Sequence, residues 1–178
     1  TLEPLKIQLI SQASLGIDSV EETGLSFVEN ALIKARYASK NTDLPAIADD
    51  SGLVVPALGG APGIYSSRYS GKGASDQSNI DHLLKNMHQI TDRKAYFYCA
   101  LVYIKNHLDP APLIAIGEFH GTLLEKQSGH GGFGYDPIFF LETHQKTAAQ
   151  LPPDLKNEIS HRAIASQKLL TLMEKEAY

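Results

Sequence analysis

Apolar and polar positions change period repeatedly along this chain, and each change marks an element. The residues after Ser26 are rich in Ala, Leu and Lys as far as about Lys40, and Ser26 with Glu29 three places on forms a capping box, so a helix is predicted there. Asp76 to Met87 sets Ile80, Leu83, Leu84 and Met87 at helical spacing and predicts a second, amphipathic helix. A third should begin near Ser160 and bury Ile164, Leu169, Leu172 and Met173. Between them lie short runs of β character. Leu5 to Ile10 reads as a strand, and Ala46 to Ala48 as the buried end of one, with Leu53 to Leu58 continuing apolar. Ala95 to Ile104 and Leu113 to Phe119, joined by a polar link containing proline, predict an antiparallel pair. Thr122 to Leu124 extends the sheet, and Ile138 to Leu141 adds a strand. Gly59, Gly60, Pro62 and Gly63 form a breaker cluster that leaves Ile64 to Gly73 as loop. The sum is an α/β chain with a central mixed sheet flanked by helices.

Composition narrows the function classes. With 178 residues, 43% of them hydrophobic, residues 1–178 are expected to form one domain with a sizeable core. A formal charge of -4 supplies no basic field for a nucleic-acid polymer. The single cysteine, Cys99, sits inside the apolar run Tyr96 to Ile104 and can form no internal disulfide, so a reducing, cytoplasmic setting is expected. No run approaches the roughly 18 consecutive apolar residues of a membrane span, and no charged-then-apolar leader opens the chain. A membrane partner is not expected.

Polar clusters carry the candidate chemistry. Asp49, Asp50, Ser51 and Gly52 follow the apolar run from Leu44, where a buried strand should surface into a turn. Two adjacent carboxylates at such a rim suit a divalent metal, although Asp-Ser-Gly is equally good turn chemistry. Glu21 and Glu22 precede the first helix, where acids also meet its positive end. Asn30 and Lys34 share a helix face one turn apart, from which the lysine could reach an anion or simply water.

Gly129, Gly131 and Gly134 match the spacing of a dinucleotide fingerprint, but that motif needs a helix to start at the glycines, and Pro137 with a strand-like run follows instead. What survives is a loop presenting Phe133, Tyr135 and Asp136, able to stack on a base and read its edge, or merely flexible. Ser160 is a good N-cap, yet His161 and Arg162 follow where a helix dipole prefers negative charge. With Lys156 upstream, they could form a phosphate site or point into water. No Cys-rich metal spacing, His-Glu-x-x-His, Walker loop or Gly-x-Ser-x-Gly elbow occurs. Acids for a hard cation, cations for phosphates and an aromatic loop for a base together indicate a nucleoside phosphate.

At these same clusters the chain resembles the inosine/xanthosine triphosphate pyrophosphatases, which clear non-standard purine nucleotides. The resemblance is carried by residues 26–35 (SFVENALIKA), 48–53 (ADDSGL), 60–65 with 68–71, 131–137 (GGFGYDP) and 160–162 (SHR). It implies an elongated central mixed β-sheet flanked by helices, with two lobes around a nucleotide cleft, and a homodimer. It also implies that Asp50 is the catalytic acid and a Mg2+ ligand, with Glu21 as its metal partner. Ser51 should contact the substrate, Lys34 the phosphates, and Phe133, Gly134, Tyr135 and Asp136 the purine. Lys156, His161 and Arg162 complete the implied site.

The expected reaction is hydrolysis of a purine nucleoside triphosphate such as ITP, dITP or XTP to the monophosphate and pyrophosphate. Members normally open with a β-strand and a phosphate-wrapping Thr-Gly-Asn loop that this chain lacks at Thr1, so it looks N-terminally truncated. A catalytically impaired nucleotide-binding dimer, or a pyrophosphatase for other modified nucleotides, therefore stays open.

Overall fold

A computed structural model describes residues 7–176, with side chains to residue 175. Helix α1 spans Phe27–Thr42, and its start follows from local chemistry. The Ser26 hydroxyl accepts the Glu29 amide at 3.3 Å, while the Glu29 carboxylate accepts the Ser26 hydroxyl at 2.8 Å and the Leu25 amide at 3.0 Å. The helix stops where Asp43 turns left-handed at φ 54° and its amide returns to the Ser39 carbonyl. Helix α2 is Asp76–Asn86, behind a reciprocal capping box between Ser75 and Ser78. A short helix α3 covers Pro153–Ile159, and α4 covers His161–Glu176.

Five strands form one sheet in the order β1 (Ala46–Val54), β2 (Lys94–Ile104), β3 (Leu113–Leu123), β4 (Phe139–Leu141) and β5 (Lys146–Thr147). Sequence neighbours are therefore sheet neighbours. Strands β3 and β4 pair antiparallel with Leu123 opposite Phe139, and β4 and β5 antiparallel with Leu141 opposite Lys146. A Cβ at Gly121 would lie 2.6 Å from the Phe139 ring, so β3 needs glycine where that ring crosses it.

The chain divides into two compact units. Among the described residues, unit 1 comprises 7–50, 99–117 and 162–176. Here α1 buries Asn30, Ala31, Ala35 and Ser39, and α4 packs Leu169 and Met173 against Ala115, Ile47, Leu101 and Tyr103. Unit 2 comprises residues 51–98 and 118–161. Its core gathers Leu53, Ile80, Leu83, Met87, Phe97, Leu123, Tyr135, Ile138 and Phe139.

In unit 1 the link from β2 to β3 is organised by Asp109, which is 5% exposed. Its carboxylate accepts the amides of Lys105 and Ala111, each at 2.9 Å. Those amides hold the Asp109 pKa below the ordinary carboxylate value. A depressed acid stabilises the fold above its unfolded pKa, and that contribution fades as pH falls through the folded one. Asp109→Ala should therefore lower stability by about 1–3 kcal/mol in urea unfolding at neutral pH, the scale of charge-assisted bonds lost from a buried site. The gap between variant and parent should narrow in acid.

Several sequence expectations need correction. Residues 7–10 form no strand and are exposed, while residues 5 and 6 lie outside the described residues. Asp49 to Gly52 is no turn, because β1 runs unbroken from Ala46 to Val54 and carries both acids in its interior. Sheet pairing has overridden good turn residues there. Gly63 to Arg68 is a 3-10 turn rather than plain loop. Thr122 and Leu123 belong to β3 itself, and α3 and β5 are additions.

Candidate active site

The candidate chemistry of unit 1 centres on Asp50, 6% exposed on β1. Helix α1 grips this carboxylate at both oxygens. Lys34 Nζ donates to Oδ1 at 3.0 Å, and Asn30 Nδ2 donates to Oδ2 at 3.3 Å. Spacing of four residues on a helix brings both groups to one face. Lys34 also donates to Glu22 Oε1 at 2.9 Å, so two carboxylates share one ammonium. Burial pushes the Asp50 pKa above its ordinary value, and the bond from Lys34 only partly opposes that. Burial would lower Lys34, but its bonds to Glu22 and Asp50 outweigh this and hold its pKa above the usual lysine value.

It is Glu22 that Lys34 joins to Asp50, whereas Glu21, the sequence candidate, is exposed one residue earlier. Asp49 faces away from Asp50, as strand alternation requires. There Arg162 brings Nη2 to 3.1 Å and Nε to 3.2 Å from Asp49 Oδ2. The cationic helix start thus has an acidic partner that the sequence did not disclose. Among the described residues no group of three His, Cys, Asp or Glu side chains forms a metal cage. Two carboxylates already gathered around a cation do suit magnesium, which uses one or two protein carboxylates and takes its other ligands from water and phosphates.

Unit 2 holds the aromatic loop. Phe133 is 58% exposed, leaving much of its ring available for stacking. Lys156 Nζ lies 4.5 Å from the centre of that ring and forms a tight ion pair with Asp136. Asp136 is buried and accepts the Phe133 amide at 2.8 Å. A side chain at Gly132, which has φ 75°, would collide with that carboxylate. Asp136 and Lys156 therefore brace the loop from within. Tyr135 is also internal, its hydroxyl donating to the Ser66 carbonyl at 2.8 Å, and burial drives its pKa far up. The Gly134 amide donates to Asp76 at 2.7 Å. His161 does not point into water, being buried and stacked 5.1 Å from Phe97 at 14°. Ser51 follows Asp50 on β1 and is half-buried.

A sheet strand bearing a buried, ammonium-gripped carboxylate in unit 1, and an aromatic loop braced by an internal ion pair in unit 2, belong to an α/β protein. The chain belongs to the Ham1 family, whose pattern matches residues 2–172. It is 55% identical over 166 residues to the dITP/XTP pyrophosphatase of Legionella pneumophila (strain Lens), spanning 92% of this chain and 86% of that one. Identity to the dITP/XTP pyrophosphatase of Escherichia coli (strain K12) is 53% over 171 residues, spanning 95% and 87%. The solved structure of a HAM1 protein from Coxiella burnetii superposes with a TM-score of 0.94 at 48% identity, covering 98% of this chain and 89% of that one.

Proposed function

We propose that the protein hydrolyses non-canonical purine nucleoside triphosphates, ITP, dITP and XTP, to the nucleoside monophosphate and pyrophosphate. The observation that carries this reading is Asp50, a buried carboxylate fixed at both oxygens on a strand, in a chain about half identical to proteins named for that activity. Magnesium fits the pair Glu22 and Asp50, with Glu21 adjacent, and when bound it supplies positive charge against the triphosphate.

Asp50 orients a water and accepts its proton as the oxygen attacks the α-phosphorus. The bond from that phosphorus to the bridging oxygen breaks, and pyrophosphate leaves. Lys34 keeps Asp50 in place and offers its charge to the phosphates. Phe133 stacks on the base, and backbone groups of the Gly134 to Asp136 loop other than the Gly134 amide, which Asp76 holds, read its edge. Lys156, Tyr135 and His161 hold that surface from behind, and Ser51 contacts the substrate, while Arg162 is engaged by Asp49 on the opposite face of β1. On the family resemblance, the protein works as a homodimer.

The test is product analysis with magnesium present. Inosine triphosphate should yield pyrophosphate with little orthophosphate, and kcat/KM for ATP should be lower by about 10²-fold or more, because a site built to pair a 6-oxo group leaves donors unpaired against adenine. Orthophosphate as the main product, or equal use of ATP, would refute the reading.

A further inference from the structure

Asn30 is fully buried, the only such side chain of α1 able to both donate and accept with its amide. A buried amide needs partners at both ends, and Asn30 has them. Its Oδ1 accepts the Gly24 amide at 2.8 Å, and its Nδ2 donates to Asp50 Oδ2 at 3.3 Å. The direction is fixed without ambiguity, since a backbone amide can only donate and a carboxylate can only accept. Glycine at position 24 is part of this arrangement, because a Cβ there would stand 2.7 Å from Asn30 Oδ1 and 2.6 Å from Glu29 Cβ. Glu29 cannot move aside freely, being held by the Ser26 hydroxyl and the Leu25 amide.

We infer that Asn30 is a positioning residue, whose amide ties the acid-bearing segment 21–24 to Asp50 and sets the plane of the Asp50 carboxylate. Lys34 alone fixes only Oδ1; with Asn30 on Oδ2 the carboxylate cannot rotate about its last bond. The Gly24 end matters equally. Two residues before it lies Glu22, so one buried amide sets the spacing between the two carboxylates that share Lys34. The inference rests on the reading of Asp50 as the base of the proposed pyrophosphatase.

The test attacks the bridge from both ends. Asn30→Leu keeps the side-chain volume and removes both bonds; Gly24→Ala leaves Asn30 intact and displaces the segment it holds. Turnover of inosine triphosphate with magnesium should show kcat lower by about 10- to 100-fold in Asn30→Leu, the usual range for groups that orient a metal or catalytic ligand, with KM changed less than about threefold. Gly24→Ala should lower kcat in the same direction at a temperature where its melting curve shows it fully folded. Amide exchange at Gly24, followed by NMR without nucleotide or metal, should quicken at least tenfold in Asn30→Leu. Unchanged kcat in Gly24→Ala, a loss carried by KM alone, or unaltered Gly24 exchange would overturn the inference. Absence of pyrophosphate from the parent protein would instead sink the functional reading, and the Gly24 exchange would still score the bridge.

Discussion

Asp50→Asn is expected to cut pyrophosphate release from inosine triphosphate by about 10²- to 10⁴-fold, the loss typical of a removed general base. The same substitution should leave the protein folded at neutral pH and flatten the pH dependence of its melting temperature. Burial raises the Asp50 pKa, so the folded protein holds that proton more tightly than the unfolded chain does. Stability of the parent then declines as pH rises from the ordinary carboxylate value through the raised one, and ionised Asp50 is a cost above it. Asparagine keeps the shape, carries no charge and removes that slope, while Lys34 retains Glu22. Paired activity and melting measurements across pH check both halves. A variant that is inactive because it unfolds would contradict them.

Asp136→Ala should be the most damaging single change to stability, at about 3–5 kcal/mol, because it leaves a buried lysine without its counter-charge. Lys156 and Asp136 are both largely withdrawn from water, with side chains 15% and 2% exposed, so solvent offers little replacement. The Phe133 amide loses its acceptor in the same step. Urea unfolding measures the cost. The double variant Asp136→Leu with Lys156→Met should recover much of it, since an apolar pair of similar volume has no charge to desolvate. A single-variant loss below about 1 kcal/mol would mean the pair is not buried as described.

The sequence was most legible where local chemistry decides the outcome. Ser26 and Glu29 announce α1, and Ile80 and Leu83 trace the buried stripe of α2, with Met87 buried at its C-cap. Strands β2 and β3 stand out because aromatic and β-branched residues alternate in burial along them. It was least legible where distant partners decide. Asp49 to Gly52 carries turn residues, yet its place is the interior of β1. Two prolines obscured α3, although Pro153 at its first position is a permitted start. Strand β5 is two residues long, too short for any periodicity.

The site followed the same division. Asp50, Lys34 and the Phe133 loop stand out as candidates by residue type and resemblance. The partners that fix them do not, because Asn30 to Asp50, Arg162 to Asp49 and Lys156 to Asp136 are separated by 20 or more positions. Tyr135 and His161 are buried, which residue type alone does not reveal, because aromatic and imidazole rings serve cores and sites alike.

The two neighbouring aspartates of β1 look out on different worlds. Ala46 and Asp50 are buried on the side of α1, while Ile47 lies with α4 and Asp49 meets Arg162. Because side chains alternate, a slip of the strand by one position would exchange every one of these faces. Asp49 would be delivered to Lys34, and Asp50 to the guanidinium, with no atom added or removed. Alignment of this strand is thus an address label for its acids, and an error there would erase the chemistry while leaving the composition of the protein untouched.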